Sequence, residues 1–158
     1  MRLSEKDITD FLLKFIDEGD LVLDVGCGDC SRLKELRKLK NINAFGIDIS
    51  ISNKGDNNKI VCKEMKAEYI GKLPGRFNLI FTVYSFHHFT EPERFLRNAK
   101  NKLLRGGILI IIDWKYGAVT SVDEEYYRAS GIEKFLTDAG FKLKNKIFQG
   151  DTRIFIGF

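Results

Sequence analysis

Three groups of residues have types and spacing that suit chemistry. The first is Asp24-Val25-Gly26-Cys27-Gly28, in which two glycines let a backbone turn sharply and approach a bound molecule closely. The second is Asp48, twenty residues beyond Gly28, where a carboxylate ending the next strand can accept hydrogen bonds from both hydroxyls of a ribose. Glycine turn and carboxylate together point to a nucleotide-like ligand, with free N–H groups of a helix start facing it. The third is His87-His88, the chain's only histidines, which follow Tyr84 and Ser85 and suit proton transfer or orientation of a polar substrate.

Each feature has a plainer alternative. His88, between Phe86 and Phe89, could simply be a packed residue capping a strand end, and the aromatics from Trp114 to Tyr127 suit local packing as well as an acceptor-binding flap. The basic run Arg32 to Lys40 carries Leu33, Leu36 and Leu39 at helical spacing and has no interleaved aromatics, so it reads as a solvated helix face rather than an RNA site. Three cysteines, Cys27, Cys30 and Cys62, cannot all pair. A lone Cys-x-x-Cys also lacks the second ligand pair of a structural zinc site, so free thiols and no metal are expected.

The elements that must hold these residues alternate. Ile8, Phe11, Leu12, Phe15 and Ile16 recur at helical spacing behind a Ser4/Asp7 capping box. Leu21 to Val25 is a short apolar run between polar and glycine residues, read as a strand buried on both faces. A helix over 31–40, a strand over 44–49 and a strand over 59–64 follow, and the ten residues from Ser50 to Lys59 carry no apolar stripe for a full crossover helix. Phe77 to Val83 is a fourth strand; Thr90, Pro92 and Glu93 start a helix that Gly106-Gly107 is expected to stop; Ile108 to Ile112 is a fifth strand. A helix through Ile132, Phe135, Leu136 and Ala139, ending at Gly140, precedes a strand pair over 141–148 and 153–158. The expectation is one α/β domain over residues 1–158. Its seven-stranded, mostly parallel, doubly wound Rossmann-like sheet has helices on both faces and an antiparallel C-terminal strand.

The kind of nucleotide turns on details. A dinucleotide fingerprint wants glycine at position 31, which is Ser, so a nicotinamide cofactor is disfavoured. Leu21 to Gly28 instead resembles the first motif of the class I S-adenosylmethionine-dependent methyltransferases, close to their small type 11 branch. Gly46-Ile47-Asp48-Ile49-Ser50 is similar to that family's second motif, and Phe77 to Phe89 to its fourth-strand segment. Leu103 to Asp113 and Ala139-Gly140-Phe141 continue the likeness in the family's order, so that it spans roughly residues 4 to 158.

The resemblance implies S-adenosylmethionine as cofactor and S-adenosylhomocysteine as product. Gly26, Cys27 and Gly28 would meet the methionine moiety and Asp24 would help hold its ammonium; Asp48 would hold the ribose. Ile49 would pack on the adenine face and Ala67 stand near its edge, with Tyr84 and Ser85 at the methionine end. His87 or His88 would act on the acceptor as base or orienting group. Lys66 departs from the acidic residue the family usually has before Ala67, and Glu64 or Glu68 would substitute. The implied reaction is methyl transfer to a small molecule, with an RNA or protein acceptor, or a non-catalytic cofactor-binding subunit of a larger enzyme, as alternatives. Little material is left for a lid, so the acceptor site is open or is completed by a protein partner or a second copy.

Composition sets outer bounds. A chain of 158 residues with 44% hydrophobic content is long enough for one well-buried core. Its longest aliphatic run, Ile108 to Ile112, is far short of a membrane span, and with a polar N-terminus a cytoplasmic protein is expected. A net charge of +4 permits an anionic partner such as a nucleic acid without requiring one. Seventeen lysines and seventeen isoleucines against a single glutamine lean towards a heat-adapted source.

Overall fold

The computed structural model describes residues 1–51, 56–57 and 60–158. Most of the expected helix-free connection over 50–59 therefore lies outside the described residues. Five strands run parallel in the spatial order β4 (Ile60–Glu64), β2 (Asn43–Asp48), β1 (Leu21–Val25), β5 (Phe77–Val83), β6 (Leu103–Trp114). Beyond β6 come β8 (Thr152–Gly157), antiparallel to it, and then β7 (Leu143–Gln149), so the closing hairpin is inserted with its last strand inward. This is the expected mixed sheet of seven strands, with one addition: the two-residue β3 (Asp56–Asn57) pairs antiparallel with β4 at the outer edge.

Strand alternation sends side chains to two cores. Val22, Leu79, Phe81 and Ile110 face α1 (Glu5–Leu13) and α2 (Ser31–Leu39), whose Ile8, Leu12, Leu33 and Leu36 are buried there. Leu23, Ile80, Leu109 and Ile111 face α3 (Pro92–Lys102) and α4 (Ala129–Asp138), which contribute Phe95, Leu96, Ile132 and Leu136. The capping box is present: Asp7 N–H donates to Ser4 Oγ at 3.1 Å and Ser4 N–H to Asp7 Oδ2 at 3.2 Å.

Two local expectations change. Gly106-Gly107 does not end α3; the helix ends at Lys102 and β6 begins directly at Leu103. Gly106, at φ +79°, supplies the left-handed residue by which the chain shifts register, so that Leu103 pairs with Phe77 but Ile108 with Leu79. The thiols also differ from expectation. Cys30 and Cys62 form a disulfide between the N-terminus of α2 and β4, leaving Cys27 as the free cysteine. The β2–β4 pairing places Cys62 opposite Gly46, where a Cβ would come within 2.5 Å of Cys30 Sγ and 2.8 Å of Cys27 Sγ, so the glycine leaves room for these sulfurs beside β2.

The strand order reverses between β1 and β5. Crossovers leave on one side towards β2 and β4 and on the other towards β6, and a crevice opens between the carboxyl ends of these two strands. No helix among the described residues is long and apolar enough to cross a membrane.

Candidate functional site

The turn after β1 is preformed by its own hydrogen bonds. Gly26 N–H and Cys27 N–H both donate to the Ile47 carbonyl, at 2.8 and 3.0 Å, and Gly28 N–H donates to Asp48 Oδ2 at 2.8 Å. Cys30 N–H and Ser31 N–H are likewise taken, by Cys27 O and Asp29 Oδ1. These donors are therefore spent on holding the loop, contrary to the expectation that they stay free for a ligand. Gly26, at φ +83°, has no room for a side chain, since a Cβ would meet Ser85 Cβ and Oγ at 2.5 Å. The two loops at the switch point are thereby in direct contact. Gly28, at φ +57°, has nothing within 4 Å of where its Cβ would stand.

A cavity of about 550 Å³ opens beside this contact, a volume within the range of small-molecule and cofactor sites. Its walls come from four strand ends: Val25 and Gly26; Asp48 and Ile49; Met65, Lys66, Ala67 and Glu68; and Ser85, His88, Phe89 and Thr90. Asp48 accepts from Gly28 N–H and from Ser50 N–H, one bond on each oxygen, which leaves further lone pairs on both for a ligand. Ile49 is 70% exposed at the cavity edge, an apolar face waiting for a flat partner. Of the two acidic residues that could stand in for the one missing before Ala67, Glu68 is on the wall and Glu64 is not among the lining residues.

Asp24 lies deeper and is fully buried, with neither carboxylate oxygen hydrogen-bonded. The nearest cation is Arg32, whose Nη1 is 3.7 Å from Asp24 Oδ2 while its Nη2 is held by Glu5 at 2.7 Å. Burial pushes the Asp24 carboxyl up to about 7; Arg32 opposes the shift and the negative charges of Asp48 and Glu5 add to it. Cys27 is turned inward, and burial, followed by the charges of Asp24 and Asp48, raises its thiol well above the ordinary range, so it is not a nucleophile. Tyr84 is not on the cavity wall. Its ring stacks on Trp114 with centroids 4.5 Å apart, and its hydroxyl shares a proton with Thr152 Oγ1 at 2.7 Å and accepts from Leu3 N–H at 3.3 Å. That side chain anchors the N-terminal segment instead of the methionine end expected for it.

The two histidines part ways. The His87 side chain is 3% exposed, and its Nδ1 lies 2.7 Å from Asp113 Oδ1 at the end of β6. Asp113 also accepts from the backbone N–H groups of His87 and Trp114. On the other side His87 Nε2 meets Glu124 Oε2 at 3.3 Å, and the other oxygen of Glu124 is 3.6 Å from His88 Nε2. Burial pulls the His87 imidazole down, but the two carboxylates outweigh it and the net shift is upward. His88, not His87, reaches the cavity wall, with its side chain 55% exposed. Sequence reading missed Asp113 and Glu124. Asp113 had a signal, a lone acid closing the run Ile108 to Ile112; Glu124, in a polar loop 37 residues past His87, had none.

A glycine turn and a carboxylate ending the next strand, both at the switch point of a mostly parallel sheet closed by an antiparallel hairpin, define a domain of the Rossmann-like class. The methyltransferase domain family matches residues 2–145. The chain belongs to this family. Over 114 residues, 70% of its length, it is 32% identical to an uncharacterized protein of Methanocaldococcus jannaschii, and the match spans 42% of that curated relative.

Solved structures share the fold. An S-adenosylmethionine-dependent methyltransferase of Aquifex aeolicus superposes with a TM-score of 0.78 at 23% identity, covering 99% of this chain and 98% of that one. The 1,6-didemethyltoxoflavin-N1-methyltransferase of Burkholderia thailandensis, with 1,6-didemethyltoxoflavin and S-adenosylhomocysteine bound, reaches 0.79 at 11% identity over 97% and 76% of the two chains. A chain in the complex of the Haloferax volcanii Trm112 methyltransferase activator with a methyltransferase reaches 0.76 at 18% identity over 97% and 91%.

Proposed function

We propose that this domain transfers a methyl group from S-adenosylmethionine to a small-molecule acceptor. The observation that carries the proposal is a cavity whose one wall is Asp48 and Ile49 and whose other wall is Ser85 and His88, so that a nucleoside and an acceptor can lie end to end. The residues fit the cofactor: Asp48 has lone pairs for two ribose hydroxyls, Ile49 and Ala67 offer apolar surface to a purine, and Asp24 is a buried carboxylate without a hydrogen-bond partner. When bound, the cofactor supplies a methyl group on a sulfonium, whose departure as a neutral thioether needs no acid.

The chain's own work is then positioning, which brings an acceptor to within about 3–3.5 Å of the methyl carbon. Gly26 and Gly28, with the backbone of Cys27, shape the floor on which the methionine end rests, and Ser85 borders it. His88 forms the polar side of the cavity against which the acceptor's nucleophilic atom is held, and His87 stands behind it on Glu124. Asp113 positions His87. A cavity this size, with a neighbour in fold that acts on a small heterocycle, supports a small acceptor over RNA.

The test is calorimetry on the purified chain with S-adenosylhomocysteine and, separately, NADH. Micromolar binding of the first and none of the second is expected; the reverse overturns the proposal. A second reading, in which a protein partner completes the open acceptor side, is supported by the fold likeness to the Haloferax chain solved with its activator. Under that reading, acceptor turnover appears only when a co-purifying subunit is present, and full turnover by the chain alone refutes it.

A further inference from the structure

The side chains of His87, His88 and Glu124 turn their ligand atoms towards one another. Both ring nitrogens of His87 point at carboxylate oxygens, Nδ1 at Asp113 and Nε2 at Glu124; a proton on each nitrogen satisfies both, and so does one proton on Nδ1 with a cation on Nε2. His88 Nε2 then turns to the second oxygen of the same Glu124. The ligand atoms of His87, His88 and Glu124 all lie within 4.8 Å of one another. Two imidazole nitrogens and one carboxylate thus converge on one point.

We propose that His87 Nε2, His88 Nε2 and Glu124 bind a divalent transition-metal ion of the zinc class. Bonds of about 2.0–2.2 Å to nitrogen and oxygen in a tetrahedron put neighbouring ligand atoms about 3.3 Å apart. The observed His87–Glu124 and His88–Glu124 separations are 3.3 and 3.6 Å. His88 is half exposed and on the surface side, so a small ring rotation closes the remaining edge.

Asp113 supplies what a metal-binding histidine ordinarily has behind it: a buried carboxylate on Nδ1, which fixes the tautomer and leaves Nε2 as the free donor. Three protein ligands leave a fourth position open, as in zinc sites that bind a substrate atom. Two nitrogens and an oxygen favour zinc or its neighbours over magnesium or calcium, which want oxygen alone. Because His88 is also on the cavity wall, the open position would take an oxygen or sulfur donor of the acceptor, an assignment of use that rests on the methyltransferase reading above.

The test treats the chain with a chelator, removes the chelator, and titrates it with Zn²⁺ by calorimetry and with Co²⁺ by visible absorption. One Zn²⁺ per chain at micromolar affinity or tighter is expected, with a four-coordinate Co²⁺ band. Both affinities should fall at least tenfold in His88→Ala and in Glu124→Gln, two changes at partly exposed positions whose folding circular dichroism verifies. A Cys27→Ala variant keeps the binding if the histidines are the ligands. Absence of sub-millimolar binding, which would leave a proton-bridged cluster only, or binding that the two variants leave untouched, overturns the proposal. S-adenosylhomocysteine titrated into the same samples separates the two readings: cofactor bound without Zn²⁺ removes the metal site alone, and Zn²⁺ bound without cofactor removes the methyltransferase reading alone.

Discussion

The two walls of the cavity are built in different ways. On the cofactor side, from Gly26 to Ile49, the shape is set by backbone: two glycines at positive φ, both with short contacts or open space that a side chain would spoil, and N–H groups tied to Ile47 and Asp48. On the side proposed for the acceptor the backbone does little and side chains do the holding, in a chain that runs from Asp113 through His87 to Glu124 and His88. A wall made of backbone geometry presents one shape to an invariant ligand. One made of side-chain contacts can be rebuilt residue by residue for a different acceptor on the same fold.

The largest effect that would sharpen this contrast is expected from Asp113→Ala. It removes three hydrogen bonds at once and leaves the buried His87 ring without its carboxylate. A loss of about 3–5 kcal/mol in urea denaturation is expected, with S-adenosylhomocysteine affinity per folded molecule within twofold of the parent. A large drop in that affinity would mean that the two walls are one structure.

Asp24→Asn tests the buried acid beneath the glycine turn. With its carboxyl raised to about 7, the folded protein holds a proton that the unfolded chain releases above the usual carboxylate range. Stability conferred by the wild-type residue therefore falls as pH rises from about 4 to about 7 and is level beyond. The variant lacks that slope, so its stability relative to wild type should improve by a few kcal/mol across this window. Denaturation curves at several pH values check it, and parallel curves for the two proteins would show that Asp24 is ionised throughout.

Asp48→Ala should weaken S-adenosylhomocysteine by roughly 10- to 100-fold, the worth of one or two charge-assisted hydrogen bonds. It leaves the His87 network and the proposed metal affinity unchanged. Calorimetry decides this, and unaltered cofactor affinity would remove Asp48 from the site. The smallest effect belongs to Tyr84→Phe: loss of the hydroxyl's contacts with Thr152 and Leu3 should cost about 1 kcal/mol in thermal or urea unfolding. Cofactor affinity should not change, because the ring packs on Trp114 and not on the cavity.

Periodicity and turn chemistry made most of the elements readable. Short apolar runs such as Leu21–Val25 and Phe77–Val83, and the leucine stripe of α2, are local patterns that admit one secondary structure. The Gly26-x-Gly28 turn and Asp48 were legible for the same reason, since each acts from a strand end whose place in the sheet follows from the alternation of strands and helices. Asp113 could be noticed but not placed, because its partner His87 sits past the end of the neighbouring strand β5; the orientation of Tyr84 towards Thr152 could not be read, because it depends on β8 being inserted beside β6.

What the sequence determined by itself is the parallel sheet, its switch point and the carboxylate placed beside it, all consequences of spacing along the chain. Only the tertiary structure decided that His87 is buried on Asp113 while its neighbour His88 reaches the cavity, and that Glu124 closes on both. Cys30, likewise, meets Cys62 across 32 residues only once β2 and β4 are side by side, with Gly46 leaving room for the Cys30 sulfur. The physical reason is the same in each case. Backbone conformation answers to near neighbours in sequence, whereas a side chain's partners are whichever groups the packed layers bring within a few ångströms.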